Sequence, residues 1–544
     1  MKDYTITLSL TADGQESTFS FNEALENDLA AIAVEDDGER LRVTVEPKRE
    51  LTINLAVISC GWACSKKDRI LLNGYQSWTD TRELEVNSRM YGLRRTPKFA
   101  IKRFGLNKYG DYHFVGYSGK KGDLHGISYG YIRREGKLDF IGSLNERTGY
   151  TVIRLNTKKQ ALRIEKDCGG LCIDQPYEVF DLVRLSGEDD QVFDRYFALM
   201  GIDRPRHKPL RGYTSWYNHY QNINSEIINR DLEGMRSLPE EPEIFQIDDG
   251  YQTAVGDWLS IDKKKFPDGL RPVVEAIHSG NMLAGLWLAP FVCETNSEIY
   301  KNHPDWLLKG EDGQPIYCAC SWSRAYALDL ENPEVRQYLK EVFDTVLNNF
   351  GFDFVKLDFL YAASFIGDSK KTRGQRMCEA MDLLRELVGG KLILGCGVPM
   401  WPSFGKVDYC RIGCDVSLDW DDKLIMRLIH RERVSTRNAI CDSIYRRQLD
   451  GRAFWNDPDV FLLRYDNMKM SEKRKSQLAK VNGLFGSVLF MSDNAGIYDE
   501  KQMAQYADTV SMGDAEIKSV TSKGNRICIK YTHRGKDEKL TIRL

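Results

Sequence analysis

The sequence predicts an α/β protein: a (β/α)₈ TIM barrel flanked by an N-terminal antiparallel β-sandwich and a small C-terminal β domain. Three observations carry this expectation. From Tyr4 to about Leu185, short stretches alternate apolar and polar side chains with a period of two, as half-buried antiparallel strands do. From about residue 212 the texture changes to short apolar runs separated by amphipathic helical stretches, the form of a parallel sheet with crossover helices. After Asn494 the period of two returns. A chain of 544 residues is long enough to hold all three units.

The elements follow in order. YTITLSL, LRVTVEP, FVGYSG, ISYGYIRR and TVIRLN, separated by Gly, Asn, Asp and Lys clusters, read as sandwich strands. A helical stretch, DQVFDRYFALMGI, leads to RPRHKPLRG, whose prolines and arginines place a boundary near residues 203–211. Eight candidate barrel strands come next: GYTSWY (212–217), EIFQID (243–248), LAGLWLAP (283–290), DFVKLDF (353–359), KLILGC (391–396), YCRIGCD (409–415), RAFWND (452–457) and SVLFMSD (487–493). Helical stretches between them include INSEIINRDLEGMRS, GLRPVVEAIHSG, NPEVRQYLKEVFDTVLNNFG and QRMCEAMDLLRELVG. A doubly wound open sheet is the rival reading. The barrel is favoured because nearly every strand ends in polar or aromatic residues, which is where such barrels carry their chemistry. DEKQMAQYAD then reads as a short helix, followed by AEIKSV, RICIKYT and KLTIRL. The expected domains are 1–200 (sandwich with its linking helix), 205–495 (catalytic barrel) and 496–544 (small antiparallel β domain).

Composition removes several function classes. Lys plus Arg number 76 against 79 Asp plus Glu, a formal net charge of -3, so overall charge gives no hold on nucleic acid or an anionic membrane. With 42% hydrophobic residues and only 16 Pro, long disordered or fibrous tracts are not expected. No run approaches eighteen consecutive apolar residues, and MKDYTITLSLTADGQ lacks the apolar stretch of a secretory signal; a cytoplasmic location is expected. The thirteen cysteines are an odd number and fit a reduced compartment better than a disulfide framework. Cys318-x-Cys320 and Cys410-x-x-x-Cys414 do not match zinc spacing. There are only eight His, none forming an HxH pair at a strand end, so neither metal nor cofactor is expected.

The strongest local feature is Lys356-Leu357-Asp358-Phe359 at the end of the fourth strand. Side chains alternate along a strand, so Lys356 and Asp358 share a face. A neighbouring ammonium favours the ionised carboxylate that a nucleophile requires. An ion pair closing the barrel mouth is the structural alternative. Two strands later, Arg411-x-x-x-Asp415 puts a second cation and carboxylate at the corresponding end. One ionised carboxylate and one proton donor are the minimum equipment for glycoside hydrolysis. Asp248-Asp249 ends the second strand in IDDGY, where Gly250 permits a tight exit; carboxylates there suit vicinal sugar hydroxyls. Trp216, Tyr217, Trp287, Trp401 and Trp455 lie on or after strands. Each alone reads as a core residue, but several beside carboxylates point to a carbohydrate pocket. Trp78, in NGYQSWT (73–79), reads either as a core residue or as part of a loop reaching toward the barrel.

The ordered set SWY (215–217), DDGY (248–251), FPDGL (266–270), GLWLAP (285–290), HPDWLL (303–308), ALDLENPEVRQYL (327–339), KLDF (356–359) and RIGCD (411–415) resembles glycoside hydrolase family 36, the α-galactosidases and α-N-acetylgalactosaminidases. The resemblance covers most of residues 210–495. It implies a retaining mechanism through a covalent glycosyl-enzyme, with Asp358 as nucleophile and Asp415 as general acid/base. By the same matching, Lys356, Arg411, Asp248 and Asp249 would hold glycone hydroxyls, while Trp287, Trp216 and Tyr217 would line the pocket. Trp78 would cap the site and Cys396 would face carbon 2 of the sugar. A retaining pair implies carboxyl groups about 5–5.5 Å apart. Two departures stand out: Tyr251 where many members have Trp, and GCGVPMWPSFG (395–405) in place of a glycine-rich segment.

The function expected is a retaining, exo-acting α-galactosidase acting on small oligosaccharides or glycosides. An α-N-acetylgalactosaminidase using the same aspartates is the alternative. Two readings of other kinds are a non-catalytic sugar-binding barrel and a metal-dependent barrel hydrolase. The state of assembly, homo-oligomer included, is left open by the sequence.

Overall fold

The structure is a computed structural model that describes residues 3–544. Its amino-terminal part is built from two antiparallel sheets of seven and eight strands. Between them Ile6, Leu8, Ile53, Ile58, Val43, Ile132, Ile164 and Phe180 form a closed apolar core. The eight-stranded sheet is apolar on both faces. Along Tyr129–Arg134, Ile132 points into the sandwich, whereas Tyr129 and Tyr131 join a second core shared with the barrel. The alternation that sequence reading treats as one buried face here serves two interfaces.

Eight parallel strands follow: β1 (Leu210–Thr214), β2 (Ile244–Ile247), β3 (Leu283–Leu288), β4 (Phe354–Leu357), β5 (Leu392–Gly395), β6 (Tyr409–Arg411), β7 (Trp455–Asp457) and β8 (Val488–Met491). They pair in the order β7-β6-β5-β4-β3-β2-β1-β8. The ring closes between β7 and β8 through the Ser487 N–H to Asn456 O (3.0 Å) and the Phe461 N–H to Phe490 O (3.1 Å). The expected barrel is therefore present. Side-chain caps start the crossover helices: Asn224 accepts from the Ile227 N–H, Asn332 from Glu334 and Thr372 from Gln375. Pro333 occupies the first turn, where its missing N–H costs nothing.

One feature was not legible in the sequence. Between β3 and the helix Pro333–Asp344 the chain leaves the barrel and forms a small antiparallel sheet from Val292–Glu294, Tyr317–Ala319 and Ala325–Ala327. Strands of three residues are too short for a period of two to register. At the carboxy-terminal end, Glu516–Lys523, Arg526–His533 and Lys536–Arg543 form a three-stranded antiparallel sheet whose Ile527, Ile529 and Ile542 pack on the barrel core. Among the described residues no helix is long and apolar enough to cross a membrane. All thirteen cysteines are free thiols.

Sandwich and barrel are joined by more than the linker. The Ser77 N–H donates to Val398 O (2.9 Å), the Met400 N–H to Tyr75 O (3.2 Å), and the Thr81 N–H to the Asp442 carboxylate (2.7 Å). The loop carrying Trp78 is thereby fixed over the carboxyl ends of the barrel strands.

Candidate active site

The carboxyl ends of the strands converge on a cavity of about 410 Å³ whose lining includes Trp78, Trp216, Tyr217, Asp248, Asp249, Trp287, Lys356, Asp358 and Asp415. Nine of the residues singled out in the sequence thus meet in one place. The reason is local. Lys356 is in β4 and Asp358 one residue beyond it, both facing inward, while Leu357 is fully buried on the other face. Asp248 and Asp249 follow β2 directly; Gly250 has φ +123°, and a Cβ there would sit 2.7 Å from Gln221 O, so the exit from the strand requires glycine.

The two central carboxylates sit in unlike surroundings. Asp358 is buried; its oxygens accept from the Trp287 indole N–H (3.1 Å) and from the backbone N–H of Phe359 (2.9 Å). Burial raises its pKa above the ordinary aspartate value; the Lys356 ammonium opposes the rise and the charge of Asp415 adds to it. The Asp415 side chain is 36% exposed and accepts from Arg411 Nη1 (2.9 Å).

Lys356 donates to Asp248 Oδ2 at 2.8 Å. Burial is the largest single influence and works against its charge, but Asp248, with Asp358 and Cys396 adding to it, holds the amine above its usual range. Asp248 also accepts from Gln246 Nε2 (2.8 Å) and Thr214 Oγ1 (3.3 Å). Asp249 accepts from Gln221 Nε2 (2.9 Å), Gln252 Nε2 (2.6 Å) and Trp322 Nε1 (2.8 Å), and burial raises its pKa.

Arg411 and Cys396 stand behind the wall. Arg411 is 2% exposed, and three carboxylates surround its guanidinium: Asp457 at Nε, Asp415 at Nη1 and Asp459 at Nη2, each 2.9 Å away. It is placed to orient Asp415 from behind. Cys396 is buried beside Asp358, and burial holds its thiol well above the usual range. Two aromatics noted in the sequence lie elsewhere. Trp401 donates its indole N–H to Ser143 O (3.1 Å) and Trp455 donates to His207 O (2.5 Å), so both serve the packing between sandwich, linking segment and barrel.

Sequence reading missed Trp322, Gln221, Gln252, Asp457 and Asp459. Asp457 does end β7, as Asp248 and Asp415 follow β2 and β6, and that position was the available signal. A larger cleft of about 840 Å³ lies where sandwich, linking segment and barrel meet, lined by Arg40, Arg147, Arg385 and Lys406 among others. Most of its cations are already paired: Arg40 with Asp181, Arg147 and Lys406 with Asp382, Arg385 with Asp408. The smaller cavity, where the strand-end carboxylates meet, is therefore the candidate site. Among the described residues no group of three or more His, Cys, Asp or Glu is arranged to hold a metal ion.

Residues 213–384 match the Melibiase family profile. An α-galactosidase of Escherichia coli is 31% identical over 183 residues, a stretch covering 32% of this chain and 25% of that enzyme. Alpha-galactosidase Mel36A of Lactobacillus acidophilus is 29% identical over 162 residues, 28% of this chain and 21% of that one. The matched stretch thus spans about a quarter of these curated relatives. Among solved structures, the Thermus thermophilus α-galactosidase TtGalA in complex with stachyose is 25% identical, with a TM-score of 0.72 over 90% of this chain and 99% of that chain. The family 36 α-galactosidase AgaA of Geobacillus stearothermophilus shares the fold, with a TM-score of 0.62 at 14% identity over 97% of this chain and 79% of that one.

Proposed function

We propose that this chain, a relative of the glycoside hydrolase family 36 α-galactosidases, is a retaining exo-acting α-galactosidase that releases terminal α-linked galactose from small oligosaccharides or glycosides. One observation carries the reading: a buried carboxylate, Asp358, near the Lys356 ammonium, and a partly exposed one, Asp415, bonded to Arg411, line the same cavity.

In this reading Asp358 attacks the anomeric carbon while protonated Asp415 gives its proton to the leaving oxygen, and the glycosidic bond breaks. Asp415, now a base, takes a proton from water as the hydroxide displaces Asp358 and frees the sugar. The contrast in exposure supports these roles, since the acid must face the open side where the aglycone leaves and the nucleophile must lie beneath the glycone. Asp248 and Asp249 read the axial hydroxyl at carbon 4; a site built to hydrogen-bond a hydroxyl rejects an analogue that misplaces it. The reading includes a division at about 1–200, 205–495 and 496–544, which the separate sandwich core supports, and a cytoplasmic location, with which free thiols accord.

The purified protein is expected to hydrolyse p-nitrophenyl α-galactoside faster than its N-acetylgalactosamine counterpart and to release the α-anomer first, as followed by proton NMR. Preference for the N-acetylated substrate would transfer the assignment to that activity, and binding of galactose with no hydrolysis would leave a sugar-binding barrel.

The pH dependence follows from Asp358. As the nucleophile it must be ionised, so kcat/KM falls as pH drops through its pKa. Because that pKa is raised in the free site, the acid limb is expected above the ordinary aspartate value of about 3.9. Lys356 favours the ionised form, so Lys356→Met moves the limb higher still. A limb at or below 3.9, or one unmoved in the variant, contradicts the assignment.

A further inference from the structure

We propose that Trp322, carried on the excursion between β3 and β4, is a specificity-determining residue that fixes the carboxylate of Asp249 for the glycone and supplies a wall of its pocket. The inference rests on the galactosidase reading above. Trp322 lines the same cavity as Asp358 and Asp415. Its indole N–H donates to Asp249 Oδ2 at 2.8 Å. Its ring lies 5.0 Å from Phe359 and 6.0 Å from Trp287, between centroids, so it extends the aromatic lining contributed by the barrel.

The backbone beneath it is built to hold that pose. Trp322 has φ +55° and Arg324 φ +97°, conformations that L side chains rarely adopt. Between them Ser323 is fastened on every side. Glu294, itself buried, accepts from the Ser323 N–H (3.0 Å) and hydroxyl (2.6 Å) through Oε2, and from the Val255 N–H (2.9 Å) through Oε1. The Thr295 hydroxyl donates to Ser323 O (2.9 Å), and the Asn296 N–H donates to the Ser323 hydroxyl (3.1 Å). Strain of this kind persists only where the surroundings over-determine it. Here they do so at a residue whose one polar side-chain atom points at a carboxylate of the cavity. The small sheet off the barrel thereby delivers Trp322 to Asp249 from outside the ring of strands.

Asp249 needs such a partner. Gln221, on the loop after β1, and Gln252, on the loop after β2, hold it through side-chain amides. The indole N–H comes from a separate element and fixes the carboxylate from another direction. A hydrogen bond to a charged group of about 1.5–3 kcal/mol corresponds to roughly 10–100-fold in affinity.

The test is a double-mutant cycle of Trp322→Phe and Asp249→Asn on p-nitrophenyl α-galactoside, with KM and kcat measured separately. Trp322→Phe keeps the ring and removes the N–H; it is expected to raise KM about tenfold or more while kcat stays within about threefold. In the Asp249→Asn background the same change is expected to cost less than about threefold, because its partner is already altered. Glu294→Gln, which leaves Trp322 in place but loosens Ser323, is expected to raise KM by a smaller factor, with the melting transition followed as a control for each variant. Equal KM penalties for Trp322→Phe in both backgrounds, or none in either, overturn the proposal and leave the galactosidase reading intact. Wild-type protein inactive on every α-galactoside overturns both.

Discussion

Asp358→Ala is expected to lower kcat/KM for p-nitrophenyl α-galactoside by about 10⁴-fold or more, because in this reading the other carboxylates of the cavity are engaged as acid or as glycone ligands and none stands beneath the anomeric carbon to form the glycosyl ester. Added azide separates this variant from its partner. With Asp358 gone, azide enters the vacated face and gives β-galactosyl azide in a single displacement. Asp415→Ala keeps the nucleophile, so azide intercepts the glycosyl-enzyme and gives the α-azide. Asp415→Ala should also spare aryl galactosides with good leaving groups at the first step, since these need less protonation. Equal loss for every leaving group, with deglycosylation shown not to limit, contradicts the acid assignment. The same azide anomer from both variants contradicts the division of roles.

The second large effect is expected far from the reacting atoms. Arg446 is fully buried and bridges the two main units. Nη1 donates to Ser77 O (2.7 Å) and Ile412 O (2.8 Å), Nη2 to Gln76 O (3.1 Å), and Nε to the Asn73 side chain (3.3 Å). One guanidinium thus ties the loop carrying Trp78 to the segment between Arg411 and Asp415. Burial works against its charge, which nearby Asp442 favours. Arg446→Met leaves several buried carbonyl oxygens without donors, and a loss of about 3–5 kcal/mol of stability is expected. The measurement is a denaturant titration, with activity recorded below the transition, where kcat/KM should also fall because both walls of the pocket lose a shared anchor. An unchanged midpoint contradicts the role of Arg446 as the strut between sandwich and barrel.

What the sequence revealed was what period and position encode. The barrel strands were readable because each is an apolar run ending in residues a core would not choose, such as Lys356-Leu357-Asp358 and Arg411 with Asp415. Asp248-Asp249-Gly250 was readable because only glycine serves that exit. Trp322 was not, since it lies on an irregular turn between strands of three residues, and its partner Asp249 is distant in sequence. Arg446 was equally hidden: a lone arginine after a helix reads as a solvated charge, and its burial follows only from two units closing over it. Trp401 and Trp455 show the converse error. Proximity to a strand end suggested a sugar pocket, but their indole N–H groups serve backbone carbonyls in the packing between units. Arg411 illustrates a subtler limit, for the sequence supplies a cation near Asp415 but not the two further carboxylates, Asp457 and Asp459, that turn its guanidinium toward positioning.

The central claim is that the side chain at 358 becomes covalently bonded to the sugar during turnover. Incubation with a 5-fluoro-galactosyl fluoride, which slows release of the intermediate, followed by peptide mass spectrometry, tests this directly. The account predicts a single added fluorogalactosyl mass on the peptide containing Asp358, with loss of activity in step. A label on any other residue, or steady turnover with inverted product and no label at all, contradicts it.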